Sequence, residues 1–264
     1  MSSLSVTVVT TFHKKGFDEY GKQMLETFAQ HWPNSVKMIV YAEDCAAEVP
    51  VYENFEILDL HQRCPDLVKF KNTYRNDSRA NGQYLGIPEK TKFKWDAVRF
   101  SNKVYAVCDA INNAASDYVI WLDADTVTHS RVTFDFLQEV LPEPHQAVSY
   151  LNRADYPECG FVGYNINHPI MKQFAQDWQH LYHSGDFLDL QESHDSYTFQ
   201  HMIENVFDAP RKHLGDSTKK GHIFINSRLG DVMDHLKGPR KKHKHSYAKD
   251  LWSDKPQQWW KNNV

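Results

Sequence analysis

The stretch DYVIWLDADTVTHS, residues 117–130, decides how the rest of the chain is read. Tyr118 to Leu122 is an apolar run of the kind found in a buried strand. It ends in Asp123-Ala124-Asp125. Two carboxylates one residue apart add little to a core. Side chains at i and i+2 of a strand point to the same side, so the pair can converge on one hard divalent cation, which prefers oxygen ligands. The carboxyl end of a buried strand is where an α/β sheet opens a ligand crevice, and there a metal–diphosphate pair can be held. An acidic turn after a strand is the plainer reading of a lone Asp-x-Asp. The residues on either side decide between the two.

Upstream, the chain opens on alternating elements. Ser5 to Phe12 (SVTVVTTF) reads as a strand, Phe17 to Trp32 as a helix, Val36 to Tyr41 and Phe55 to Leu60 as strands. A β-α-β opening favours a parallel sheet with right-handed crossovers. The polar segment 69–94 reads as a long functional loop, and Trp95 to Ala114 as the helix that leads into the Asp-x-Asp strand. Downstream, Phe134 to Leu141, His168 to His183 and Asp195 to Val206 read as helices. Ala147 to Leu151, Gly160 to Tyr164 and Ile223 to Asn226 read as strands. No repeat or linker divides the 264 residues. The expectation is one α/β domain, with a nucleotide-binding half over about 1–126, a second half over about 127–245 that completes the metal site and takes the acceptor, and a tail over 246–264.

Composition narrows the function. The chain is 41% hydrophobic and carries a formal charge of −4, which argues against a general nucleic-acid binder with its broad basic surface. Cys45, Cys64, Cys108 and Cys159 form no Cys-x-x-Cys pair and read as free thiols in a reducing compartment. No segment approaches the length of a membrane span. The expected location is cytoplasmic.

The second chemical feature is His235-Leu236-Lys237-Gly238-Pro239-Arg240-Lys241. A neutral imidazole can complete a metal site begun by two carboxylates. Gly238 allows close backbone approach to a phosphate. Arg240 and Lys241 are cations suited to a departing diphosphate. Alone, this segment would read as a solvated basic run; the upstream Asp-x-Asp changes the balance.

Together these residues resemble the GT-A-fold, nucleotide-sugar-dependent glycosyltransferases, most of all the glycogenin and lipopolysaccharide galactosyltransferase family. WLDAD, residues 121–125, matches that family's Asp-x-Asp strand. His235, Gly238 and Lys241 match its His-x-x-Gly-x-x-Lys, although Lys242-His243 stands where a Pro-Trp is usual. The resemblance implies a GT-A fold with a mostly parallel central sheet. It also implies Mn²⁺ or Mg²⁺ held by Asp123, Asp125 and His235, and a diphosphate held by Gly238 and Lys241. A cation on the helix before the metal strand reaches the donor in this family, which implies Lys103 or Arg99. Glu158, in ECGFVGYN, stands where the family lines the donor sugar. Thr11, Phe12 and His13 follow the first strand, where base and ribose are contacted.

Asp195, in SHDSYTFQ, matches an aspartate at the mouth of the family's reaction centre. A helix N-cap is its plainer use. Ser196 replaces the glutamine that lies near the anomeric carbon in retaining members. That departure favours an inverting displacement with Asp195 as base over a retaining one. The expected activity is hexosyl transfer from a nucleotide-diphosphate sugar, UDP-sugar favoured, to a glycan or saccharide hydroxyl. Two rivals remain. A sugar-phosphate nucleotidyltransferase would show a glycine-rich loop after the first strand, where TTFHKKG has one glycine. A silent carbohydrate-binding protein would have no use for both motifs.

Overall fold

The computed structural model describes residues 4–219 and 221–252. β1 (Val6–His13) is flanked in parallel by β2 (Lys37–Glu43) and β4 (Tyr118–Leu122), and β3 (Phe55–Asp59) joins the outer side of β2. β1, β2 and β4 carry runs of buried residues because both of their faces are covered, whereas the edge strand β3 is only partly buried. Along β4, Val119 and Trp121 enter one core cluster, with the helices Ala97–Asn113 and Met171–Ser184. Ile120 and Leu122 enter the other, with the helix Lys22–His31. Val8 and Val9 divide in the same way on β1.

One strand then runs against the rest. β7 (Glu158–Asn165) lies antiparallel to β4, β6 (Val148–Leu151) antiparallel to β7, and β8 (Arg211–His213) parallel to β6. The order across the seven strands is β3-β2-β1-β4-β7-β6-β8. A separate two-stranded ribbon pairs β5 (Thr126–Thr128) with β9 (Met233–His235). This is the mostly parallel, helix-flanked α/β sheet read from the sequence.

Some elements differ from expectation. Ile223–Asn226 is a single helical turn, not a strand; a four-residue apolar run carries no period that separates the two. The segment 69–94 begins inside the helix Pro65–Tyr74 and ends in the 3₁₀ turn Glu89–Trp95, so the irregular loop is shorter than expected. The Asp195–Val206 helix changes to a π-helical turn after Gln200. β8 and β9, of three residues each, were too short to read. All four cysteines are free and buried. No helix among the described residues is long and apolar enough to cross a membrane. Trp259 and Trp260 lie outside the described residues.

Candidate active site

Asp123 and Asp125 converge by a turn rather than along a strand. β4 ends at Leu122, and the Thr126 N–H donates to the Asp123 carbonyl at 3.0 Å, closing a tight turn before β5. The Asp123 N–H donates to the Gly160 carbonyl on β7 at 2.9 Å, so the turn is fixed to the sheet. The β5–β9 ribbon brings the distant histidine to this turn: Thr126 pairs with His235, and the Leu236 N–H donates to the Asp125 carbonyl at 2.8 Å. One ligand atom from each of Asp123, Asp125 and His235 falls within a 4.8 Å cluster. His235 Nε2 is 3.0 Å from Asp125 Oδ1 and 3.4 Å from Asp123 Oδ2. The ring is 1% exposed and packs against Gly160, where a Cβ would approach Nδ1 to 2.6 Å. Glycine at 160 is what leaves room for this imidazole.

Around these three side chains stand cations and further carboxylates. Lys103, from the helix Ala97–Asn113, reaches Asp123 Oδ1 at 3.1 Å, Asp195 Oδ2 at 2.7 Å and the Cys159 carbonyl at 2.6 Å. Trp121 Nε1 also donates to Asp123 Oδ1, at 2.6 Å. Lys241 Nζ is 3.0 Å from Asp125 Oδ2 and 4.1 Å from the Tyr20 ring centroid. Glu158 lies on the far side of His235, its Oε1 3.3 Å from Nδ1, and is itself paired with Lys237 at 3.2 Å and Arg153 at 3.3 Å. The Nδ1–Glu158 contact is close but not aligned as a hydrogen bond, so Nδ1 is a buried polar atom without a partner in line.

These neighbours set the protonation states. Burial works to raise the Asp123 carboxyl, but Lys103 and His235 outweigh it and hold the group below the usual range. Burial likewise raises Asp125, and His235 with Lys241 brings it down. Burial disfavours the His235 imidazolium, yet Asp125, Asp123 and Glu158 raise its pKa well above that of a free imidazole. Glu158 is held well below the carboxylate range, burial being overcome by Lys237, His235 and Arg153.

The cluster forms the floor of a cavity of about 700 Å³. Of the residues singled out from the sequence, Thr11, Phe12, His13, Arg99, Lys103, Asp123, Asp125, Glu158, Asp195, His235, Gly238 and Lys241 line it, and Arg240 does not. The structure refines several of their roles. Phe12 is buried and stacks on Phe17, so most of its ring belongs to the core. His13 Nδ1 accepts from the Gly16 N–H at 3.0 Å, capping the turn that follows β1. Of the two cations considered on the helix before β4, Lys103 touches Asp123 of the carboxylate–histidine cluster, whereas Arg99 is exposed at the mouth. The N-cap ahead of Asp195 is His194, with no side-chain cap bond. Asp195 is the first helical residue and its carboxylate goes to Lys103 instead, so capping is not its role.

Gly238 sits at φ +65° with nothing near its Cα face, and the segment around it is fastened from both sides. Ser246 donates to Asp234 through N–H at 2.7 Å and Oγ at 2.6 Å, and Arg240 makes a two-pronged bond to Asp250 at 2.8 Å. Arg240 is therefore spoken for and does not line the cavity; the segment is anchored at Arg240 and Ser246, while Lys242, His243 and Lys244 between them are exposed.

Sequence reasoning missed Glu43, Asn102, Arg153, Tyr156, His194 and Lys237, which also line the cavity. Glu43 had a signal: it ends β2 directly opposite His13 at the end of β1, where a parallel sheet opens its crevice. Lys237 lay inside the motif, between its fixed positions.

No protein-family model matches the chain, and no curated protein sequence does. Among solved structures, the apo structure of the bifunctional glycosyltransferase WbbM matches 89% of this chain and 46% of its own, with 12% sequence identity and a TM-score of 0.51. The fold is shared with a glycosyltransferase. Mouse xyloside xylosyltransferase 1 in its apo form (TM-score 0.49, 12% identity, 80% of this chain and 86% of that one) is also similar. So is apo GlyE from Streptococcus pneumoniae TIGR4 (TM-score 0.49, 10% identity, 78% and 44%). The chain spans less than half the length of WbbM and of GlyE.

Proposed function

We propose that the chain is a metal-dependent glycosyltransferase that takes a sugar from a nucleotide-diphosphate sugar, a UDP-sugar in the first instance, to a saccharide hydroxyl. The observation that carries this is the joining of Asp123, Asp125 and His235 into one cluster at the floor of a large cleft, with Lys103 and Lys241 beside it. Two carboxylates and an imidazole suit Mn²⁺ or Mg²⁺. Glu158 Oε1, 3.3 Å from His235 Nδ1, fits too, since a ligating histidine is ordinarily oriented by a carboxylate on its other nitrogen and a small turn of the ring would align the pair. The charge balance agrees. Asp123, Asp125, Glu158 and Asp195 already face Lys103, Lys237, Lys241 and Arg153. The opposite charges of a divalent cation and a sugar-nucleotide diphosphate enter as a nearly neutral pair.

When bound, the cation would neutralise charge on the departing diphosphate. The chain's own residues supply the rest. Lys241 releases Asp125 and turns to the diphosphate, a short movement for a flexible stem. The Gly238 backbone, free of a Cβ, lies against a phosphate oxygen. Thr11, His13 and Arg99, at the carboxyl end of β1 and on the facing helix, flank the nucleoside. Glu158, which lines the cleft beside His235, accepts from a donor-sugar hydroxyl through the oxygen now held by Lys237 and Arg153. Asp195, 2.7 Å from Lys103 Nζ, activates or positions the acceptor hydroxyl. Ser196 is too short to reach across the anomeric face, and the reaction is inverting. The test is donor hydrolysis across a panel of nucleotide sugars with Mn²⁺. One donor should be consumed by the wild type, and neither in EDTA nor by Asp125→Asn; equal turnover in all three would overturn the reading.

A further inference from the structure

A second cavity, of about 320 Å³, lies beside the first. Its wall includes Tyr84, Trp95, Leu188, Gln191, Ser193 and Arg79. The two cavities share a thin partition, because two segments run side by side there: the Ser193 N–H donates to the Lys94 carbonyl at 2.7 Å. Phe93 and His194 face the catalytic cleft, while Trp95 and Ser193, their chain neighbours but one and one, face the second cavity. Asp195, placed at the acceptor hydroxyl, is thus two residues from the wall of the second cavity.

The lining states what would fit. Tyr84 and Trp95 lie with ring centroids 5.5 Å apart, tilted by 43°, and make an apolar corner. The Gly82 N–H donates to the Trp95 carbonyl at 3.0 Å, holding the loop that carries Tyr84 against the segment that carries Trp95. Around this corner stand an amide, Gln191, and a guanidinium, Arg79. Arg79 is already paired two-pronged with Asp77, at 3.2 and 2.8 Å, so the cavity offers no unbalanced charge to an anion. A neutral ligand with one apolar face and a rim of hydroxyls matches it: a pyranose ring, whose C–H face packs on aromatic rings and whose hydroxyls bond to amide and guanidinium. The volume is at the small end of ligand pockets, enough for one such ring.

We propose that this cavity is an accessory saccharide subsite that holds a sugar residue of the acceptor remote from the reacting hydroxyl. Its assignment to the acceptor rests on the glycosyltransferase reading; its binding of sugar does not. The experiment is saturation-transfer-difference NMR of the full chain with methyl glycosides and disaccharides of glucose, galactose, xylose and N-acetylglucosamine, in EDTA and without donor. At least one should bind with saturation on one ring face, and Tyr84→Ala and Gln191→Ala should each weaken it at least fivefold. Lys241→Ala should leave it unchanged. Absence of binding by every sugar, or binding that Lys241→Ala weakens and Tyr84→Ala and Gln191→Ala do not, would overturn the proposal. Mn²⁺-dependent nucleoside diphosphate binding, measured on the same variants, reports separately on the catalytic cleft.

Discussion

The family resemblance implies Lys241 at the diphosphate, and the structure gives it a partner, Asp125, and a ring, Tyr20, to lie over. Lys242, next in the chain, is exposed. Lys241→Ala should therefore weaken nucleoside diphosphate binding by about 1.5–3 kcal/mol, the scale of a hydrogen bond to a charged group, while Lys242→Ala changes it little. Calorimetric titration of both variants checks this, and equal small effects would return the segment to a solvated charge run. Gly160 makes a second case. Its missing Cβ is the space in which His235 sits, so Gly160→Ala must push the imidazole away from Asp123 and Asp125. Mn²⁺ affinity should fall by about 10–100-fold, the scale of losing support behind a metal ligand. Electron paramagnetic resonance of free Mn²⁺ reads this out, and unchanged affinity would show that His235 is not a ligand. Nothing in the sequence marked Gly160 for this, because its neighbour His235 is 75 positions away and only the folded ribbon joins them.

At the scale of elements, the short helix Asp195–Gln200 presents its first carboxylate to the cleft through Lys103. Asp195→Asn should lower transfer by ~10²–10⁴-fold with donor binding kept, as removal of a general base does. The first-formed product should carry the anomeric configuration opposite to the donor's, seen by NMR. Near-normal turnover, or a retained configuration, would end the assignment. The β5–β9 ribbon is the other decisive element. Each strand is three residues long, below the length at which alternation can be read, so the motif pieces were legible in the sequence while the device that unites them was not. The strand run before Asp123 was legible for the opposite reason: four buried residues in a row, Val119 to Leu122, between covered faces, leave an unmistakable apolar block.

For the whole molecule, long apolar strands and amphipathic helices made the layered sheet readable, and the one reversed strand, β7, was not, since antiparallel entry into a parallel sheet is set by contacts between distant segments. The same distance hid the cavity-lining residues Tyr156 and His194, which meet only in the fold, with ring centroids 4.6 Å apart. Global stability carries a pH signature. Burial pushes His129, next to the ribbon, down to about 4. Between that value and the ~6.5 of an unfolded imidazole, the unfolded chain binds the extra proton, so stability falls as pH falls through this window, by at most about 1.4 kcal/mol per unit from this group. Thermal unfolding of wild type and His129→Gln between pH 7.5 and 4.5 should show a shallower acid loss in the variant; parallel curves would contradict it. The most direct test of the central claim is isothermal titration with UDP, with Mn²⁺ and with EDTA, on wild type and Asp125→Asn. The account predicts saturable binding by the wild type that needs Mn²⁺ and is lost in Asp125→Asn. Binding of equal strength in EDTA, or undiminished in the variant, would contradict it.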